Sequence, residues 1–178
     1  MRVLLISHQL DYSGAPLALL ELAGALQEIG HEVHLAALAA GPLGNEFMSR
    51  GVRPMPSPKQ AFDLYVANTV VSVPAALSLA PSPESVLAWI HETGFFFGLL
   101  RASPRDFSLD RLRFAAFPAR FQMDEFAHWM PAAVRMQLRN CVRMPPLEPW
   151  SVLPDHDAGG PGHRHRVERR AGPVRCGC

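Results

Sequence analysis

Val3-Leu4-Leu5-Ile6 is an unbroken apolar run closed by Ser7, and no polar residue alternates through it. A strand with that pattern is buried on both faces, which is the condition of a parallel sheet covered by helices on each side. Ser13-Gly14-Ala15-Pro16 then marks a helix start: a small polar residue, a glycine, and a proline tolerated in the first turn. The spacing predicts a helix from Ala15 to Ile29, with Leu17, Leu20, Ala23, Ala25 and Leu26 facing inward and Glu21, Gln27 and Glu28 on the wetter side. Gly30 is its natural stop, because a glycine past the last turn takes the left-handed cap conformation. His31 to Leu38 follows as a second strand, and the right-handed crossover rule makes the two strands parallel.

The alternation continues. A short helix is expected from Leu43 to Arg50, closed by Gly51, and Val52 to Met55 is expected as an edge strand bounded by prolines. Phe62 to Asn68 reads as another buried strand and Ser72 to Leu79 as the helix after it. Ser85 to Ile90 forms the next strand and delivers His91-Glu92-Thr93-Gly94 to the sheet edge where open α/β folds bind ligands. A helical turn at Ser108 to Leu112, a strand at Phe114 to Pro118 and a helix at Gln122 to Trp129 complete the pattern, with Val142 to Leu147 as a closing apolar and proline segment. The predicted fold class is therefore α/β, a doubly wound Rossmann-like parallel sheet in a single domain over residues 1–150. Residues 151–178 are expected to be the start of a linker and an unfolded tail, since from Asp155 onward there is no Ile, Leu, Met, Phe, Tyr or Trp to bury.

Charge and cysteine content narrow the function classes. The 17 basic and 16 acidic side chains nearly cancel, so no field covers the molecule that would draw nucleic acid, and a small or neutral partner is expected. Cys176 and Cys178 are too close for an ordinary structural disulfide and Cys141 has no evident mate, which favours a reducing, cytoplasmic compartment. The N-terminal apolar run is too short for a signal peptide, and no stretch of about twenty apolar residues is present to span a membrane. Peripheral membrane association stays compatible with this.

Several pieces in fixed order carry a resemblance: the opening strand with its Ser13-Gly14-Ala15-Pro16 turn, the helix ending in Gly30-His31-x-Val33, the strand Asp63 to Thr69, and Trp89-Ile90-His91-Glu92. Together they resemble the N-terminal, acceptor-side domain of family 4 glycosyltransferases, which have the two-domain GT-B architecture. The resemblance covers roughly residues 1 to 150 and implies transfer of a sugar from a nucleotide-sugar donor to an acceptor hydroxyl on a sugar or glycolipid. It also implies no cofactor and no metal, because that class stabilises its leaving diphosphate with helix dipoles and basic side chains. Members carry a second domain with a spaced glutamate pair, which this chain does not supply, so a truncated product unable to turn over donor alone is expected. The alternative is a noncatalytic remnant or a carbohydrate- or protein-binding module of the same fold, with self-association through the exposed interdomain face. A dinucleotide-binding domain is disfavoured by the incomplete glycine fingerprint and the absence of an acidic residue closing the second strand.

Each candidate residue has two readings. Ser13 and Gly14 suit a phosphate, because a glycine at a helix start lets backbone N–H groups approach an anion; by the resemblance they face the donor diphosphate, and otherwise Gly14 makes the turn. His91 matches the acceptor-side histidine of the resemblance and could accept or orient a hydroxyl proton; a hydrogen-bonded structural histidine is the equal alternative. Glu92, Asn68 and Thr69 are candidate acceptor-binding residues, although Asn and Thr also cap helices, and capping is the favoured role for these two. His8 and Asp11 flank the first loop, where Asp11 is expected to be solvated, and Arg120 sits near a strand end. Phe95-Phe96-Phe97 could line an apolar acceptor groove or divide between core and interface. His163-Arg164-His165 and Cys176-Gly177-Cys178 lack the spacing of a functional metal site.

Overall fold

The computed structural model describes residues 1–93 and 107–139. The chain divides into Met1–Arg143 and Met144–Cys178, and the second unit lies outside the described residues. So do Gly94, the Phe95-Phe96-Phe97 run, the Val142 to Leu147 segment, the three cysteines and the histidine tail.

Within the first unit the elements follow in order β1 (Arg2–Ser7), α1 (Gly14–Glu28), β2 (Glu32–Ala37), α2 (Leu43–Ser49), β3 (Arg53–Pro54), β4 (Leu64–Ala67), α3 (Val73–Leu79), β5 (Val86–Trp89), β6 (Phe114–Phe117), α4 (Arg120–Phe126) and β7 (Val134–Gln137). The strands form one seven-stranded sheet in the order β3-β2-β1-β4-β5-β6-β7. All six pairings are parallel. β1 carries the reason in its side chains: Val3 and Leu5 pack with α1 and α2 on one face, and Leu4 and Ile6 pack with α3 and α4 on the other. With both faces dry, alternation has no polar side to show.

The helix ends follow the glycines. Gly30 has φ +85° and Gly51 φ +78°, the left-handed region that a side chain resists. After α1, His31 N–H donates to Leu26 O and Gly30 N–H to Gln27 O; after α2, Val52 N–H donates to Phe47 O and Gly51 N–H to Met48 O. Both are Schellman caps. The inward face of α1 is rotated from the expected one, with Ala18 and Leu19 added to it and Leu17 and Leu26 only half-buried. Pro16, Ala18, Leu19, Leu20 and Ala23 are buried, whereas Ala25 is exposed, because it falls on the opposite side of the 3.6-residue turn from Leu19 and Ala23.

β7 is an addition to the expected elements. Its residues are mostly exposed and it closes the sheet beside β6, with Val134 opposite Phe114 and Gln137 opposite Phe117. An edge strand with Arg135 and Gln137 between its apolar residues gives little burial signal in sequence.

Candidate functional site

The chain order reverses its direction of travel at β1: β2 and β3 lie on one side, β4 to β7 on the other. Loops at the C-terminal ends of strands diverge at such a switch point and leave a crevice. A cavity of about 640 Å³ lies there, lined by the loop after β1 (His8, Ser13, Gly14, Ala15), the turn after β4 (Thr69, Val71), the segment after β5 (His91, Glu92, Thr93), and Pro118 and Gln122 after β6. Gly14 and His91, candidates from distant parts of the sequence, therefore share one rim. No lysine or arginine is among these described lining residues.

The loop after β1 is tied internally by Asp11. Its carboxylate accepts the Gln9 amide at 2.6 Å, the Ser13 hydroxyl at 2.5 Å and the Ser13 N–H at 3.2 Å. The Ser13 hydroxyl bond chiefly holds the Asp11 pKa below its ordinary value. Asp11, expected to be merely solvated, thus organises the turn, and Ser13 makes no side-chain cap bond to α1 because its hydroxyl is already committed. A Cβ placed on Gly14 would meet nothing within 4 Å among the described residues, so their packing does not require glycine there.

A second glycine does carry a packing requirement. Gly41, after β2, lies against the main chain of Leu10, and Leu43 N–H donates to Leu10 O at 2.9 Å. Leu38 and Ala39 N–H groups donate to Ser7 O and His8 O, each at 3.0 Å, so the loops after β1 and β2 form one braced unit.

After β4, Thr69 opens a 3-10 turn at Val70–Ser72, in which Thr69 N–H donates to Ser72 Oγ at 3.1 Å and Ser72 Oγ to Thr69 O at 2.9 Å. Thr69 stands at the N-cap position, but the Ser72 hydroxyl closes the turn; the Thr69 side chain lines the cavity, where its hydroxyl lies 3.4 Å from His8 Nδ1. Burial lowers the His8 pKa against the opposing pull of Asp11. Asn68 is placed differently. It is fully buried, its side-chain amide has no hydrogen-bond partner, and it is not among the cavity-lining residues, so neither capping nor lining describes its position.

His91 follows β5, its ring 4.5 Å from that of Trp89 and tilted by 54°. Burial lowers its pKa to about 4, so at neutral pH the imidazole is uncharged and suited to accepting a hydrogen bond, while the same burial weakens it as a base. Glu92 faces the opposite way electrostatically: burial raises its carboxyl to about 7, opposed by backbone N–H donors. Besides Glu92's own N–H, those donors are Val70 N–H to Oε1 at 2.9 Å and His91 N–H to Oε2 at 3.1 Å, so this carboxylate braces the turn after β4 against the segment after β5. The pH signs follow from these directions. The Glu92 contribution to stability is full below 4.5 and is lost as pH rises through about 7, whereas that of His91 is full above 6.5 and is lost as pH falls through about 4, so the two slopes oppose each other between 4.5 and 6.5.

Gln122 was not singled out by the sequence reading, yet it is buried and touches this same segment. Its sequence signal is weak, because a glutamine three residues after the N-cap marks a capping box only with a hydroxyl at the N-cap, and residue 119 is alanine. Arg120, at the start of α4, is exposed and is not among the lining residues.

An open parallel sheet whose strand-end loops converge on a crevice at the switch point defines a doubly wound, Rossmann-like domain. The chain belongs to glycosyl-transferase family 4, whose profile matches residues 1–137. No curated protein and no solved structure matches the chain. Family membership carries a glycosyltransferase-like function, with sugars and nucleotide-sugars in general as substrates. No helix among the described residues is long and apolar enough to cross a membrane.

Proposed function

We propose that this domain, assigned to residues 1–150, is the acceptor-side half of a two-domain transferase that moves a sugar from a nucleotide-sugar to an acceptor hydroxyl. The observation that carries the reading is the common cavity of Gly14 and His91. The acceptor hydroxyl sits beside His91, whose neutral imidazole takes or orients its proton as the oxygen forms a bond to the anomeric carbon. The bond from that carbon to the diphosphate oxygen breaks, and the diphosphate leaves with the electron pair toward Ser13, Gly14 and the start of α1. Backbone N–H groups at a helix N-terminus suit that charge. Thr69 offers a hydroxyl to the acceptor, and Glu92 holds the His91 segment in place. With no lysine or arginine among the described lining residues, most of the diphosphate charge has to be met by the donor-binding half of the GT-B architecture.

Gly14→Ala tests the phosphate role separately from the fold. Because the added Cβ meets no atom of the described residues within 4 Å, the thermal midpoint should correspond to a stability change within about 1 kcal/mol. Affinity for uridine or guanosine diphosphate, measured by calorimetry, should fall roughly tenfold or more as the methyl group displaces the approaching phosphate. Unchanged affinity in a folded variant would remove the phosphate from this loop.

A further inference from the structure

We propose that Gln122 is a positioning residue that holds the His91 imidazole in the cavity by clamping the two successive main-chain carbonyls of His91 and Glu92. The inference deepens the reading of His91 as the proton-handling group and rests on it for its catalytic meaning, although the clamp itself can be tested without any sugar.

The geometry is a three-point attachment. Gln122 is only 4% exposed, and its Nε2 donates one hydrogen to His91 O and the other to Glu92 O, each at 3.0 Å. Its Oε1 accepts Ala119 N–H at 3.0 Å, closing the first turn of α4. A buried amide with three committed bonds has one rotamer and one orientation, so the segment after β5 takes its position from α4. On the other side, Glu92 ties the same segment to Val70. His91 is therefore fixed from two neighbouring loops through its main chain, and its ring packs against Trp89. A proton acceptor held in this way meets the hydroxyl at a defined distance, which is where most of the rate advantage of a placed base arises.

Two measurements on the full chain decide the matter. In the wild-type protein, the two Gln122 side-chain amide hydrogens should exchange with solvent slower than those of a solvated glutamine by roughly an order of magnitude or more. Exchange at the solvated rate would overturn the clamp. The second measurement uses Gln122→Met combined with Ala119→Ser. The serine hydroxyl adds a cap to the first-turn N–H groups of α4 that offsets the lost bond to the residue-119 N–H, so weakening of the helix start and loss of the clamp are separated. The His91 ring titration, followed by NMR, should then rise from about 4 toward its ordinary value by about one pH unit or more as the released segment lets water in. Glu92 and His8, the nearby titrating groups, are unchanged in this variant. A folded double variant with the His91 midpoint where it is in the wild type would overturn the proposal. Should the clamp pass both measurements while the domain binds neither nucleoside diphosphate nor glycoside, the transferase reading fails and the clamp stands.

Discussion

Gly41→Ala is expected to lower the stability of the domain by roughly 2–4 kcal/mol, a large share of what a domain of this size has. An ideal Cβ at this position overlaps the Leu10 carbonyl oxygen well within van der Waals contact, with the Leu10 carbonyl carbon 2.5 Å and the Asp11 nitrogen 3.2 Å away. The obstructing atoms are main chain, so no rotamer relieves the overlap. One of the two braced loops must move, and the bonds from Leu38, Ala39 and Leu43 to Ser7, His8 and Leu10 lengthen with it. Since His8 and Ser13 belong to the displaced loop, the cavity loses its shape as the fold weakens. Thermal and urea unfolding check this, and a variant within about 0.5 kcal/mol of wild type would show that the loops part more easily than their hydrogen bonding suggests.

The second large effect concerns chemistry rather than folding. With the domain assayed together with a donor-binding half, His91→Gln should reduce kcat/KM for sugar transfer by roughly 10²–10⁴-fold, the usual contribution of a positioned acid–base group. The fold should be little affected, because Gln122 and Glu92 hold residue 91 through its carbonyl oxygen and N–H rather than through the ring. The pH profile gives an independent signature. An ordinary histidine base would lose activity as pH falls through about 6.5. Here burial moves that limb down to about 4, so transfer should persist into mildly acidic solution and the acid limb should vanish in the variant. A variant with near wild-type turnover would return His91 to a structural role.

Much of this was legible in the amino-acid order because local and global signals agree. The dry run Val3 to Ser7, the Gly30 and Gly51 stops, and the repeated strand–helix spacing each reflect one physical cause, and each appears where the sequence places it. Ser13, Gly14, Thr69, His91 and Glu92 were also legible as strand-end residues, because parallel topology sends every such end to one rim. What the sequence hides is contact between loops. Gly41 looks like any loop glycine until the Leu10 main chain is seen against it. Gln122 looks like an ordinary first-turn residue until its amide is found bonded to carbonyls some thirty positions away, separations of 31 and 30 residues. Asn68 shows the limit of a strand-end reading: a polar residue there suggests a cap or a ligand contact, and in the structure it is fully buried and not among the cavity-lining residues.

The central claim is that one crevice on the C-terminal rim receives phosphate at the start of α1 and a hydroxylated acceptor beside His91. The most direct measurement is a chemical-shift map of the isotope-labelled chain titrated with uridine diphosphate, guanosine diphosphate and a simple methyl glycoside. The account predicts that a nucleoside diphosphate perturbs Ser13, Gly14 and Ala15, and that the glycoside perturbs Thr69, His91, Glu92 and Thr93. Perturbations confined to the opposite rim, or two ligands mapping to separate faces of the sheet, would contradict it.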